Sequence, residues 1–212
     1  GIFQASQLAQ ADEAWLRRHM SILGVRMARE LNGIPCFELQ ETRPYKKSIM
    51  TSRSFKHELG SFRALHEVLS NFACSCALKL RKQNTRAKKL ILFIQTNRFR
   101  SDVKSHYGSL EIEFPIATND SIEIVKATYM ALDKLYDKSC AYKRVGVILS
   151  DIIPDQQVQL NLFGKYDVEK RTKLMKVYDD VNRKMGEGTL RLSIQGIENK
   201  WGEKQAPISF GH

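Results

Sequence analysis

The sequence predicts an α+β protein built on one four-stranded antiparallel sheet in β-α-β-β-α-β order, with both helices on one face. A small helical piece precedes this unit and a helical tail follows it. Three observations carry the prediction. Between residues 48 and 151, apolar side chains alternate between period-two spacing and spacings of three and four, in that order. Helical spacing alone occupies the first 45 residues and returns over 168–185. The positive charge gathers in the middle. Residues 1–45 are neutral, residues 46–152 hold 19 Lys and Arg against 10 Asp and Glu for a net +9, and residues 153–212 carry a net +2.

The elements follow in chain order. Leu8, Ala11 and Trp15 share a helical face, and a second run through Val25, Ala28 and Leu31 ends at Asn32-Gly33 before Ile34-Pro35. Gln40 to Lys47 is polar, contains Pro44 and has no period, which reads as a linker. Ser48 to Phe55 alternates loosely as a strand. After Gly60-Ser61, the residues Phe62, Leu65, Leu69, Phe72, Cys76 and Leu80 mark an amphipathic helix. It closes on Lys79, Arg81 and Lys82, where the negative end of the helix dipole favours cations.

Leu90 to Ile94 is an apolar run too short for a helix, and its Ile, Leu and Phe suit a buried strand. Leu110, Ile112 and Phe114 alternate with Glu111 and Glu113, a strand with one face in water; Asn97 and Gly108 lie in the intervening turn. Asp120 and Glu123 have capping-box spacing ahead of Ile122, Val125, Tyr129, Leu132 and Tyr136, a second helix. Val145, Val147 and Leu149 form the last strand, ending at Asp151. Past Pro154, a polar stretch leads to the isolated cluster Gln159-Leu160-Asn161-Leu162-Phe163 and Gly164. A helix is expected over Val168–Met185 through Met175, Tyr178 and Val181, ended by Gly186 and Gly188. Leu190, Leu192 and Ile194 then alternate as a short strand.

Composition narrows the function. At 212 residues and 42% hydrophobic, the chain has material for a real core. No stretch approaches the ~18 consecutive apolar residues of a membrane span, and no signal sequence opens it, so a soluble protein without a membrane partner is expected. Gly1 stands where an initiator Met would, which suggests a cloning scar or a piece cut from something longer. Cys36, Cys74, Cys76 and Cys140 form no C-x-x-C pair, and Cys74 and Cys76 diverge by about 200° on a helix. That argues against zinc and fits a reducing cytoplasm.

Catalytic motifs for phosphate loops, serine hydrolases and zinc proteases are absent, and Gly186-Glu187-Gly188 lacks the third glycine of a dinucleotide site. His19, His57, His66, His106 and His212 have no metal-ligand spacing. Glu111 and Glu113 share a strand face and in principle could hold Mg²⁺ in a nuclease, yet the same pair is what the wet side of an amphipathic strand looks like. The chain is expected to do no covalent chemistry by itself, with no metal or cofactor of its own.

Two constellations remain. Lys46 and Lys47 precede the first strand, Arg53 lies within it, Arg98 and Arg100 follow the second, and Lys143 and Arg144 open the fourth. With the hydroxyls of Ser52, Ser54 and Thr96 they could follow two phosphate backbones about a groove apart, roughly half of them in contact and the rest ordinary surface cations. Such binding is weakly sequence-specific and strongly salt-dependent. The same charge suits a stand-alone RNA- or DNA-binding adaptor with a recruitment peptide. Aromatics on the sheet's open face would favour that alternative, although the core has an equal claim on Phe55 and Phe93. The second constellation is Gln159 to Phe163, apolar and too short for a core element. It either fills a pocket on another protein or packs back on its own domain.

Asp12-Glu13-Ala14-Trp15-Leu16-Arg17-Arg18, Glu30-Leu31-Asn32-Gly33-Ile34-Pro35-Cys36, Thr51-Ser52-Arg53-Ser54-Phe55, Lys143-Arg144-Val145-Gly146-Val147 and Gln159-Leu160-Asn161-Leu162-Phe163 resemble, in order and spacing, the C-terminal half of UmuC-type chains. These are Y-family translesion DNA polymerases of bacteria. The resemblance covers nearly the whole sequence. It implies that residues 1–45 are a thumb remnant, 46–52 a tether, and 53–153 a little-finger domain whose four-stranded sheet lies in the DNA major groove. In the 154–166 segment, Gln159, Leu160, Leu162 and Phe163 would dock in the cleft of the replicative sliding clamp, with Asn161 tolerant of change. Residues 167–212 match the family's C-terminal extension. Contacts to a processed UmuD dimer and to RecA are implied without assignment to residues.

The palm, with its Mg²⁺-binding carboxylates, is missing, as is the glycine-containing hairpin that begins the thumb. The parent would transfer nucleotidyl groups by a two-metal mechanism, and this chain is expected not to. The implied role is the non-catalytic DNA- and clamp-binding portion of an error-prone polymerase in the SOS damage response, in the bacterial cytoplasm and at the nucleoid when engaged.

Overall fold

A computed structural model describes residues 1–37, 46–100, 102, 104–157 and 168–196. The chain forms two compact units, Gly1–Pro44 and Tyr45–His212. In the first, α1 (Ala5–Ala9) and α2 (Glu13–Leu31) bury Leu16, Val25 and Ala28 with Leu8 and Ala11 packed against them. Trp15, expected on the buried face, is 43% exposed and stacks on His19. The helical phase is broken before it. Asp12 starts a new helix by accepting a hydrogen bond from the Trp15 N–H at 2.8 Å, so the count from Leu8 and Ala11 does not carry through. α2 is bent at Ser21, whose φ of 61° is outside the helical region. Arg29 spans the bend to Glu13 with two contacts of 2.8 Å. Gly33, at φ 77°, ends α2 as its Asn-Gly signal predicts.

The second unit contains β1 (Ser48–Leu59), α3 (Phe62–Lys82), β2 (Thr85–Thr96), β3 (Tyr107–Thr118), α4 (Ser121–Leu135), β4 (Tyr142–Pro154) and α5 (Val168–Met185). The strands form one antiparallel sheet in the order β1-β4-β2-β3. Each helical crossover therefore skips one strand, a pair of split β-α-β units. α3 and α4 cover one face. Leu90, Leu92, Ile94, Val145, Val147, Leu149 and Ile49 meet Leu65, Leu69, Leu80, Ile124 and Leu132 there in one apolar core. The expected α+β sheet with both helices on one face is what the chain forms.

The strands are longer than their apolar runs. β2 begins at Thr85 and β3 reaches Thr118, because backbone pairing continues through a bulge between Ala87 and Lys89 where side-chain alternation fails. β4 reaches Pro154 rather than Asp151, and β1 starts at Ser48, so the 46–52 stretch implied as a tether includes paired strand.

The strand expected over Leu190–Ile194 does not form. It lies on the helical layer, where no sheet edge is available, and Ser193–Gln195 makes a 3-10 turn instead. Gln195 exchanges hydrogen bonds with Asn71 of α3, at 3.1 Å through its side-chain amide and at 3.0 Å through its carbonyl. α5 packs on the same layer, burying Met175. Arg81 donates to Asp179 at 2.6 and 2.8 Å, and Arg171 pairs with Asp120 at 2.5 Å. Among the described residues no helix is long and apolar enough to cross a membrane.

Candidate nucleic-acid interface

Strand alternation decides which side chains reach the sheet face opposite the helices. With Leu90, Leu92 and Ile94 facing the helices, Lys89, Ile91, Phe93 and Gln95 of β2 face outward. The register carries this across the sheet. Ser150, Ile148, Gly146 and Arg144 of β4 lie opposite them, followed by Ser48, Met50, Ser52 and Ser54 of β1. On the other side come Glu113, Glu111, Ser109 and Tyr107 of β3.

At the centre, Phe93 faces Gly146 across the ladder. The exposed Arg144 holds its guanidinium carbon 5.7 Å from the Phe93 ring centre and its Nη2 3.5 Å from the Ser52 hydroxyl oxygen. A cation over an aromatic face beside two serine hydroxyls is a phosphate-binding chemistry. The β3 edge carries the opposite charge. Lys89 donates to Glu111 at 2.9 Å and lies 3.6 Å from Asp151, and the Glu111 hydrogen bond followed by its charge raises the Lys89 pKa. Glu111 thus serves an ion pair. Among the described residues no group of three or more His, Cys, Asp or Glu is placed to hold a metal.

The expected phosphate residues divide. Ser52, Ser54 and Arg144 come together on the outward face. Lys46 and Lys47 are exposed at the end of β1 nearest Ser150, and Arg98 is exposed in the turn after β2, at the other end. Arg53 lies on the opposite face from its serine neighbours, because it shares the parity of the buried Ile49 and Phe55. Lys143 shares the inward parity of Val145 and donates to the carbonyl of Lys56 in the neighbouring β1 at 3.0 Å.

Thr96 is a correction. It is buried, its hydroxyl accepts from the His106 N–H at 2.8 Å, and it is 3.3 Å from the His106 carbonyl, so it closes the β2–β3 connection and offers nothing outward. Arg100 is matched by Asp102 and by Glu58 at 3.6 Å. Gln159, Leu160, Leu162 and Phe163 fall outside the described residues.

The sequence left Phe55 and Phe93 open between the core and the outward face, and did not single out Gly146. Phe93 faces outward while Phe55 is in the core, and its place between the inward Leu92 and Ile94 settles the choice. Gly146 matters only through its register with Phe93, which no local pattern reveals.

Residues 46–162 match the impB/mucB/samB family C-terminal domain, and residues 172–209 match a domain of unknown function, DUF4113. Protein UmuC of Salmonella typhimurium is 31% identical over 210 residues, 99% of this chain and 50% of the relative. Protein ImpB of Salmonella typhimurium is 32% identical over 99% of this chain and 49% of its own length. DNA polymerase IV of Bacillus velezensis is 25% identical over 90% of this chain and 45% of its own. The chain spans about half the length of the curated relatives it matches. The family match covers more than half of the sequence and falls on the four strands and two helices just described, and the chain belongs to the impB/mucB/samB family.

Proposed function

We propose that this chain is the DNA-binding and sliding-clamp-binding portion of an error-prone translesion DNA polymerase acting in the SOS damage response, and that it positions the enzyme without itself transferring nucleotides. The observation that carries the reading is the outward sheet face. Ser52, Ser54, Phe93 and Arg144 lie together there, on the side of the sheet away from α3 and α4, on a segment of net +9. Relatives named UmuC and DNA polymerase IV support the polymerase class.

From Ser48 to Ser54 the strand runs about 20 Å at ~3.3 Å per residue. Lys46 and Lys47 at one end, with Ser54, Arg98 and Arg144 at the other, therefore suit the two backbones that border a ~12 Å major groove. The acidic β3 edge would repel phosphate and keep the DNA over β1, β4 and β2. Contacts of this kind hold the duplex in register without reading sequence. Gln159, Leu160, Leu162 and Phe163 supply the clamp peptide, and tethering raises the local concentration of a poorly processive enzyme. UmuD and RecA remain partners of the whole protein in this reading, and Mg²⁺ belongs to its missing palm.

Anisotropy titration of labelled primer–template DNA across a salt series tests the first half. Arg144→Ala should weaken binding and reduce the log–log salt slope by about one, the loss of one phosphate contact. Equal slopes for parent and variant would count against the sheet face. Calorimetric titration of a bacterial sliding clamp tests the second half. The parent should bind, and a Leu162→Ala/Phe163→Ala variant should not.

A stand-alone single-strand adaptor has one observation in its favour, since Phe93 and Tyr107 both face outward. It requires tighter binding to single strands than to duplex, with Phe93→Ala costing most on the single strand.

A further inference from the structure

We infer that Met50, Ile148 and Ile91 form an apolar strip that lies along the floor of the DNA major groove and makes binding depend on the C5-methyl groups of its bases. The inference rests on the DNA-binding reading of the outward sheet face. It adds to that reading a contact with the bases themselves, which phosphate contacts do not supply.

The register builds the strip. Met50 of β1 is opposite Ile148 of β4, and Ile148 is opposite Ile91 of β2, so the three side chains form one row across adjacent strands on the face away from α3 and α4. All three lie outside the core that the same strands build with those helices. Ile91 and Ile148 are half-buried and Met50 is 50% exposed. On β3 the row ends at Glu111, whose carboxylate is taken by Lys89.

The rows on either side are polar. Ser48, Ser150 and Lys89 lie two residues away on one side, and Ser52 followed by Ser54 with Arg144 lies two and four residues away on the other. At ~3.3 Å per residue the strip is therefore about 7 Å from the first polar row and about 13 Å from that of Arg144. When the polar rows hold the two phosphate backbones, what stands between them is turned towards the base edges.

The row is perpendicular to the strands, so where the strands cross the groove it follows the groove. With strands ~4.8 Å apart, its three members cover about 10 Å, or about three base-pair steps of ~3.4 Å. Side chains of this kind read little of the groove's hydrogen-bond pattern. They match the one apolar group displayed there, the C5-methyl of thymine, and 5-methylcytosine carries the same group on the same ring carbon. Covering such methyls removes apolar surface from water on both partners.

The test is anisotropy titration of the full chain with one labelled duplex in three forms: with thymidine, with deoxyuridine at every thymidine position, and with 5-methylcytosine at every cytosine position. The hydrogen-bonding groups in the groove are the same in all three. We expect the deoxyuridine duplex to bind about fourfold more weakly for each methyl lost under the strip, the effect of exposing one buried methyl. The 5-methylcytosine duplex should bind more tightly. The log–log salt slope should be the same for all three, since a methyl contact releases no counterion. Met50→Ser, at a half-exposed position, and Ile148→Thr, which keeps a β-branched side chain in the strand, should each bring the three affinities closer together. Met50→Ser carries the test if Ile148→Thr does not fold. If the parent binds all three duplexes equally, or if the folded variants keep the parent's differences, the strip is overturned while the DNA-binding reading stands. If the parent binds none of the three, the DNA-binding reading falls and this inference with it.

Discussion

A Cβ added to Gly146 would stand 2.5 Å from Cε1 and Cζ of Phe93 and 2.6 Å from the Ser52 Cβ. The two residues are partners across the β2–β4 ladder, so the aromatic ring occupies space that only glycine leaves vacant. The ring then serves as a support beside which Arg144 is held, 5.7 Å from its centre. A missing side chain on one central strand thus shapes the polar centre of the outward face.

Gly146→Ala should therefore destabilise the domain by about 1–3 kcal/mol, the usual cost of overpacking a fixed site. Urea denaturation measures it. Phe93→Ala in the same background should recover part of the loss, the Ser52 Cβ contact remaining, giving a coupling that the two single variants do not predict by addition. A neutral Gly146→Ala would mean that the ring does not rest on this glycine.

The second expectation concerns α5. Met175 is 2% exposed, whereas Val177, two residues on, is 59% exposed. Met175→Ala should cost about 2–5 kcal/mol, the range for emptying a buried methionine site. Val177→Ala should change stability by less than about 0.5 kcal/mol. Equal effects in denaturant melts would indicate that α5 does not dock on the helical layer in solution.

What the sequence revealed follows from the range of the forces involved. α3, α4 and α5 were legible because their apolar stripes and the Asp120 cap are local signals, and Asp120 does accept from the Ile122 N–H at 2.9 Å. The strand ends were not, since Thr85–Lys89 and Pro115–Thr118 are held by backbone pairing that side-chain alternation does not encode. Arg53 could have been placed from the parity of Ile49 and Phe55. The same count from Leu92 and Ile94 puts Thr96 inward, and only its bond to His106 across the turn lies beyond a local pattern. The buried arginines were the least visible. Arg81 finds Asp179 and Arg86 finds Asp155 and Thr172 only after the whole unit has folded.

The thiols supply a third expectation. Cys36 is half-buried, while Cys74, Cys76 and Cys140 are buried. Burial pushes the Cys74 pKa up to about 12 and raises that of Cys76, which keeps both protonated and unreactive near neutral pH. Ellman's reagent at pH 8 should therefore label one thiol per chain quickly, abolished by Cys36→Ser, and the other three only after denaturant is added. Fast labelling of Cys74 or Cys76 would contradict the packing of α3 against the sheet, and of Cys140 that of the α4–β4 connection.

The last expectation is a pH dependence centred on Asp137, in the connection between α4 and β4. Its carboxylate accepts from Lys104 at 2.7 Å and from the Ser139 hydroxyl and N–H at 2.7 and 2.8 Å. The Lys104 hydrogen bond, followed by those from Ser139, holds the Asp137 pKa well below the ordinary aspartate value of 3.8. A carboxyl whose pKa is depressed in the folded state contributes stability that is fully present above its unfolded pKa and is lost as pH falls through the folded one. The contribution thus operates at neutral pH and disappears in acid. NMR titration of the Asp137 side-chain carbon should give a midpoint well below 3.8. Lys104→Met should raise it, and Ser139→Ala should raise it by less, because the backbone N–H remains. Acid unfolding of Lys104→Met should correspondingly depend less steeply on pH below about 4, since one fewer carboxyl resists protonation only in the folded chain. An unshifted midpoint in the parent chain would show that Lys104 does not hold this turn in solution.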